Sequence, residues 1–394
     1  MVLHQNQSAA IIMIKLLKKC LLNPLINSAR PDFCEHILNR ALLEKWPVKK
    51  IHEPFTLDLP MPNEFADDKN VRISFEGQQH LKFPTQHLAC IPNASILGGF
   101  VRLPSGEFLT ESDWRMKYFL ESDISRSRYH RHKSYIDGDC YYLDILFSAN
   151  YGHWLADEIP RLVSALPFLS PTTQFIVIDP IQQYKLESLA ALGVTADRII
   201  AVKGYYQIRC ERLWYATPAN DMIWNSKILS QVKNTLLRAY VDGTEPAPER
   251  IFVSRNASAN KKRLANEDEL LPVIESYGFN RVRLEHMSLA QQVRAFSKAR
   301  VVLGAHGAGL TNLLFCPPAQ LLELQDSRFA PRLWYWKWAS TLGHKYCSMT
   351  GPVVESNGWL DTNFSIKPDS LKQCLESTLL PADSKPKVQW WVSQ

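Results

Sequence analysis

After residue 250 the chain alternates short apolar runs with helix-period segments, and few architectures other than a parallel α/β sheet accommodate that order. Ile251-Phe-Val253 reads as a buried strand. Asn266 with Glu269 caps a helix that runs to about Tyr277 and is stopped by Gly278. Arg281 to Leu284 is strand-like. Ser288 with Gln291 has the spacing of a capping box for a helix reaching about Ala299, and Val301-Val-Leu303 is again a short buried strand. A helix from about Ala308 to Phe315, a strand from Leu321 to Leu324 and an aromatic-rich helix from Leu333 to Leu342 follow. Such alternation predicts a doubly wound sheet that binds its ligand beyond the carboxyl ends of its strands.

A looser version of the same order precedes it. Cys140 to Phe147 is strand-like, Gly152 to Leu169 helical, Gln174 to Ile178 a strand, and Tyr184 to Leu192 a helix ended by Gly193. Strands follow near Arg198 to Val202 and Arg209 to Ala216. Between the two patterned regions, Gly243-Thr-Glu-Pro-Ala-Pro-Glu249 has the prolines and charge of a linker. The expected division is an N-terminal lobe over 1–242, a linker over 243–249, a C-terminal lobe over 250–350, and an extension over 351–394 that is a candidate to return to the N-terminal lobe. With 394 residues two domains are the default expectation, although residues 23–135 carry signals too weak to assign.

Composition excludes several classes. The chain is 46% hydrophobic and 21% charged, the balance of a folded protein rather than a disordered one. Its formal charge of +6 is spread along the sequence, without the basic stripe or known motif of a nucleic-acid binder, so no nucleic-acid partner is expected. Eight cysteines occur with no Cys-x-x-Cys pair, which fits reduced thiols in a cytoplasmic protein and no zinc ribbon. Four Asn-x-Ser sequons, at Asn6, Asn93, Asn256 and Asn363, are accounted for by chance. Ala9 to Leu22 is apolar but interrupted by Lys15, Lys18 and Lys19, too short and too charged to span a bilayer. It reads as an amphipathic helix that packs on the protein's own body or rests peripherally on the inner face of a membrane.

In Val301-Val-Leu-Gly-Ala-His-Gly-Ala-Gly-Leu-Thr-Asn312 a strand runs directly into Gly304, Gly307 and Gly309 and then into a helix. That geometry offers backbone N–H groups to an anion, although a tight structural turn accounts for it equally well. The spacing is neither the dinucleotide fingerprint nor the Walker loop. Ser254-Arg-Asn256 lies beyond the first strand of this region and the cluster Lys261-Lys-Arg263 follows it, and arginine forks suit diphosphate oxygens. Glu323 is an acid in an otherwise apolar strand, placed either to accept from ribose hydroxyls or to face solvent at a sheet edge.

Gly304-Ala-His-Gly-Ala-Gly-Leu-Thr-Asn312, preceded by Ser254-Arg255 and Asn266-Glu267 and followed by Glu323, resembles glycosyltransferase family 61. The block Asn150-Tyr-Gly-His-Trp-Leu-Ala-Asp-Glu-Ile-Pro-Arg161 resembles that family's bacterial His-Trp-Leu-x-acid-x-x-Pro-Arg pattern, found in capsular-polysaccharide proteins. The resemblance covers about residues 140–347. It implies two Rossmann-like lobes facing a cleft, in the GT-B manner, and inverting transfer from a nucleotide-diphosphate sugar to a glycan or lipid-linked acceptor. It implies no obligatory metal and no cofactor beyond the sugar nucleotide. Arg255, Arg263, His306 and Glu323 would surround the nucleotide with Asn312 nearby. The acid of the His-Trp-Leu block is often Glu in the family, whereas here it is Asp157 with Glu158 beside it.

An inverting transfer needs a base for the acceptor hydroxyl. His153 and Asp157, four apart on a helix, share a face, while Trp154, Leu155, Ile159 and Leu162 pack inward. Asp157 is the first candidate for the base and His153 the second, and Pro160 is expected to break, kink or restart the helix just after them. Asp137-Gly-Asp139 has the spacing of a metal-binding pair but precedes a strand and contains a turn dipeptide, so a turn is expected. The alternative functions are a catalytically silent sugar-nucleotide-binding component of a polysaccharide-assembly complex and a sugar-nucleotide epimerase. The first would have lost the acid near His153, and the second would carry a Gly-x-Gly-x-x-Gly after its first strand, which is absent.

Overall fold

The computed structural model of the chain describes residues 33–34, 36–66, 75–97, 100–109, 133–143, 149–203, 207–218, 225–255, 263–328, 333–356 and 362–379. The amphipathic segment 9–22 and the basic pair Lys261-Lys262 lie outside these residues.

Two sheets organise the α/β fold. In the first, β1 (Lys133–Tyr142), β2 (Gln174–Asp179), β3 (Ile199–Lys203) and β4 (Gln207–Ala216) are parallel in the order β4-β1-β2-β3. Strands Gln86–Pro92 and Ser95–Leu97 extend this sheet antiparallel to β4. Because β4 returns to the far side of β1, the strand order reverses at β1, and the chain leaving β1 enters the helical run 151–165 at the reversal. The second sheet contains β5 (Arg250–Val253), β6 (Asn280–Val282), β7 (Val301–Ala305), β8 (Gln320–Asp326) and β9 (Lys345–Gly351), all parallel in the order β6-β5-β7-β8-β9. Its order reverses between β5 and β7, the place where an open α/β sheet accommodates a ligand.

Among the described residues the α-helices of eight residues or more are α1 (Gln183–Ala191), α2 (Ser226–Tyr240), α3 (Glu267–Ser276), α4 (Leu289–Phe296), α5 (Trp334–Thr341) and α6 (Pro368–Thr378). Strand periodicity sorts the side chains into layers. Ile251, Val253 and Val302 join Trp154, Leu155, Ile159, Leu162, Val232 and Phe296 in one core between the two sheets, whereas Phe252 and Leu303 face a separate cluster closed by Leu371 and Leu375 of α6. Residues 362–379 thus stay with the second sheet, since α6 packs on α3 and Phe364 bridges to Leu264. Polar ties reinforce the joint: the amide of Leu289 at the start of α4 donates to Glu187 of α1 at 2.6 Å, a carboxylate at a helix N-terminus. The edge beyond β9 is covered from far upstream. Asn63–Ala66 pairs parallel with it, Cys347 opposite Asn63, and the indole of Trp336 donates to the Pro60 carbonyl at 2.8 Å.

Local expectations differ from the structure in two places, and at Pro160 one of the expected outcomes is realised. The Ser288-Gln291 capping box forms, but Asn266 does not cap α3 with its side chain; that amide holds both the N–H and the C=O of Ile366. Asp137-Gly138-Asp139 is a bulge within β1, with Gly138 at φ +80°, and the strand begins at Lys133 rather than after the acids. At Pro160 the helix restarts, with the proline in the first turn of a new α segment. Trp154–Glu158 is wound as a π turn, in which the Ile159 amide donates to the Trp154 carbonyl, and an α-helix resumes at Ile159. Proline lacks the N–H that an α-helix needs there, and the wider turn takes up the misfit.

Candidate active site

At the reversal of the second sheet, Ser254 and Arg255 leave the end of β5 and are held by Glu267, the first residue of α3. The buried Glu267 carboxylate accepts from the Ser254 hydroxyl at 2.5 Å, from Arg281 at 2.7 Å and from the Arg255 amide at 3.4 Å. The guanidinium of Arg255 then crosses to β7, where Nη1 donates to the carbonyl of His306 at 2.7 Å. It lies so close over Gly307 that a Cβ there would collide with it. Gly307 has an extended backbone at φ 166°, so the close approach of Arg255, rather than backbone conformation, requires glycine.

His306 is buried beside Glu323 of the adjacent β8, with Nδ1 and Oε1 2.5 Å apart. The other oxygen of Glu323 accepts from the Tyr346 hydroxyl at 2.6 Å and the Gln325 amide at 3.1 Å. A carboxylate buried this completely is stable only when it is paired and hydrogen-bonded, and its pairing with Nδ1 fixes the orientation of the imidazole. Burial also pushes the Tyr335 phenol up, and its hydroxyl donates to the Gly307 carbonyl at 2.7 Å.

The first sheet brings a second histidine-carboxylate pair to the same place. Asn150 caps the 151–165 run by accepting from the Gly152 amide at 2.8 Å. Gly152 seats this end against the Ala308–Phe315 helix: a Cβ would lie 3.1 Å from Thr311 Oγ1 and 3.4 Å from Ala308 Cα. Tyr151 donates to Asn312 Oδ1 at 2.6 Å, and the Asn312 amide donates to Gln292 at 2.8 Å and to the Gly309 carbonyl at 3.1 Å. Placed by these contacts, His153 Nδ1 lies 2.7 Å from Asp157 Oδ2, with side chains 19% and 25% exposed. Glu158 points elsewhere. It is buried 2.5 Å from Arg161, whose guanidinium also donates to the Tyr142 carbonyl and lies over the rings of Tyr141 and Tyr215.

Trp334, at the start of α5, touches both pairs. Its indole centroid is 6.2 Å from the ring of His153 and 6.0 Å from that of His306, and the residue is 47% exposed.

The structure therefore gathers His153, Asp157, Arg255, His306, Gly307 and Glu323 around one aromatic side chain. The remaining sequence candidates sit differently. Glu323 does not face solvent, because β8 is interior and its carboxylate is engaged by His306, Tyr346 and Gln325. Asn312 is fully buried as a tether between the sheets. The Cβ positions at Gly304 and Gly309 are closed by Val253, Leu310 and Leu284, so these glycines permit close packing. Arg263 lies where the Phe364 amide donates to its carbonyl. Asp139 accepts from Arg212 at 2.7 Å and from the Trp214 indole at 3.1 Å.

Sequence reasoning missed Trp334, Glu267, Tyr151 and Tyr335. Glu267 carried a signal, as an acid in the first turn after Asn266. Trp334 did not, since Trp334, Trp336 and Trp338 look alike in sequence and only their positions on α5 leave one exposed and two in the core.

A family model described as Glycosyltransferase 61 matches residues 151–322. Three curated relatives are similar over parts of this chain. An "EGF domain-specific O-linked N-acetylglucosamine transferase" of Drosophila melanogaster is 31% identical over 27% of this chain and 21% of its own length. A "Beta-1,2-xylosyltransferase RCN11" of Oryza sativa subsp. japonica is 36% identical over 19% of this chain and 16% of its own length. A "Beta-1,2-xylosyltransferase" of Arabidopsis thaliana is 36% identical over 16% of this chain and 14% of its own length. The matches thus span about a fifth or less of these relatives. His153, Asp157, Arg255 and His306 all lie inside the stretch 151–322 that the glycosyltransferase family 61 model matches.

Proposed function

We propose that this chain is an inverting glycosyltransferase that moves a sugar from a nucleotide-diphosphate sugar to a glycan or lipid-linked acceptor. The observation that carries the reading is the meeting of two histidine-carboxylate pairs, one from each sheet, at Trp334. On this reading the sheets form the two lobes of a GT-B arrangement, with the acceptor entering on the side of residues 1–242 and the donor held by residues 250–350.

The chemistry is an in-line displacement. The acceptor oxygen attacks the anomeric carbon as the bond from that carbon to the diphosphate breaks, and the acceptor's proton passes to the His153-Asp157 pair. Asp157 holds the imidazole at Nδ1 and supplies the counter-charge as the pair takes the proton. Charge developing on the departing diphosphate falls to Arg255 and to His306, whose proton on Nδ1 is directed at Glu323. Cationic side chains supply the compensation that a metal gives in other transferases, and Asp139 is already engaged by Arg212 and Trp214, so we read the transfer as metal-independent.

Among the described residues six buried cysteines without disulfides fit a cytoplasmic setting, and the acceptor we favour is a polysaccharide precursor, in line with the His-Trp-Leu block. Among the described residues no helix is long and apolar enough to cross a membrane. The test is a thermal-shift screen of uridine, guanosine and thymidine diphosphate sugars. A donor at 100 times its Kd adds about 2.7 kcal/mol of stability. No shift with any of them would remove the reading.

A further inference from the structure

We propose that Trp334 is the platform on which the transferred sugar ring lies, a subsite that depends on the donor assignment above. In an in-line inverting displacement the anomeric carbon sits between the base and the leaving diphosphate. Here those roles fall to His153 and His306, and Trp334 is in ring contact with both. A pyranose placed between the two histidines meets the indole.

The residue's setting fits that use. The neighbouring aromatic side chains of α5, Tyr335, Trp336 and Trp338, are buried, each with a hydrogen bond from its polar atom into the fold. Trp334 instead leaves nearly half of its surface to solvent beside the two pairs. One face of a pyranose presents several C–H bonds with partial positive charge, and the π face of an indole carries the complementary negative potential. Stacking there would bury apolar surface on both partners while the sugar hydroxyls remain at the rim. An uncharged wall between the pairs also spares the reacting carbon a competing nucleophile.

Calorimetry with UDP-N-acetylglucosamine, UDP-xylose and GDP-mannose, each measured against its own nucleoside diphosphate, separates the sugar contact from the nucleotide contact. Trp334→Ala should weaken the bound sugar nucleotide by about tenfold or more and leave the diphosphate within about twofold. Trp334→Leu keeps apolar bulk without a π face and should show the same selective loss, while Trp334→Phe should restore most of the affinity. Melting temperatures identify any variant that fails to fold, and the Leu and Phe variants then carry the test. Equal weakening of sugar nucleotide and diphosphate would make the indole a support of the lobe contact and overturn the proposal, as would unchanged affinity for both. If the wild-type protein binds none of the three donors, the functional reading fails and takes this subsite with it. If it binds one and Trp334→Ala binds it equally well, only the subsite fails.

Discussion

Asp157 Oδ2 lies 2.7 Å from Nδ1 of His153 across a turn wound to π spacing, while the next residue, Glu158, is buried against Arg161. Two adjacent acids thus have opposite fates, and substitution separates them.

Asp157→Asn preserves shape but removes the charge that fixes the imidazole and balances its protonation. We expect kcat to fall by about 10²–10⁴ with donor affinity and melting temperature little changed. His153→Gln should fall comparably, and the double substitution should be no worse than either alone, since the pair acts as a unit. Steady-state kinetics on the three variants decide it. Near-normal turnover in Asp157→Asn would sink the assignment.

Glu158→Gln should show the reverse pattern. Removing one partner of a buried ion pair leaves the other charge uncompensated, at a cost of about 3–5 kcal/mol. Denaturant titration should register that loss, while the folded fraction keeps its donor affinity. A wild-type unfolding midpoint would show that the pair contributes nothing.

His344 is buried between the Ala319 amide, which donates to Nδ1 at 3.1 Å, and the Leu313 carbonyl, which accepts from Nε2 at 3.1 Å. Burial, assisted by the nearby Lys233, pushes its pKa down from 6.5 to about 4. The unfolded chain binds the proton more readily across that window, so the stability supplied by the neutral ring is complete above pH 6.5 and is lost as pH falls toward 4. The full loss is on the order of 3 kcal/mol. Tm should drop over this range in the wild type and drop less in His344→Gln. Parallel pH profiles would remove His344 as the cause.

Chelation should leave turnover largely intact, because Asp139 is held by Arg212 and Trp214 at a strand bulge. Activity lost in EDTA and restored by manganese or magnesium would return Asp137 and Asp139 to the chemistry.

Local signals carried most of the second sheet. Ile251-Phe-Val253 and Val301-Val-Leu303 are apolar because both faces of those strands are covered, and the Ser288-Gln291 box is a contact within one turn. The helix Ser226–Tyr240 was legible in principle, since Ile228, Leu229, Val232 and Leu236 keep helical spacing behind an Asn225 cap. What could not be read depends on partners distant in sequence. Asn63–Ala66 becomes a strand by adding to an edge formed almost 300 residues later. Glu323 owes its role to neighbouring strands that put His306 and Tyr346 beside it, and Asn266 is diverted from capping by Ile366. At the site, the glycine-rich turn announced a close approach but not by what. At Gly307 the approaching group is the protein's own arginine.

That arrangement couples Gly307 to Arg255. Arg255→Ala should weaken nucleoside diphosphate binding by about 1.5–3 kcal/mol, the range for a hydrogen bond to a charged group. Gly307→Ala touches no charge, yet its methyl would occupy the position of the guanidinium and force it off the His306 carbonyl. The backbone at Gly307 is extended and accepts alanine without strain, so the loss on Gly307→Ala reports the arginine's displacement. Truncating Arg255 removes the three atoms that lie nearest the methyl, and Gly307→Ala should then cost little. A double-mutant cycle by calorimetry should accordingly be strongly non-additive, with the double variant close to Arg255→Ala. Additive losses would mean that Gly307 meets the ligand directly, and no loss in either single variant would move the diphosphate away from Arg255.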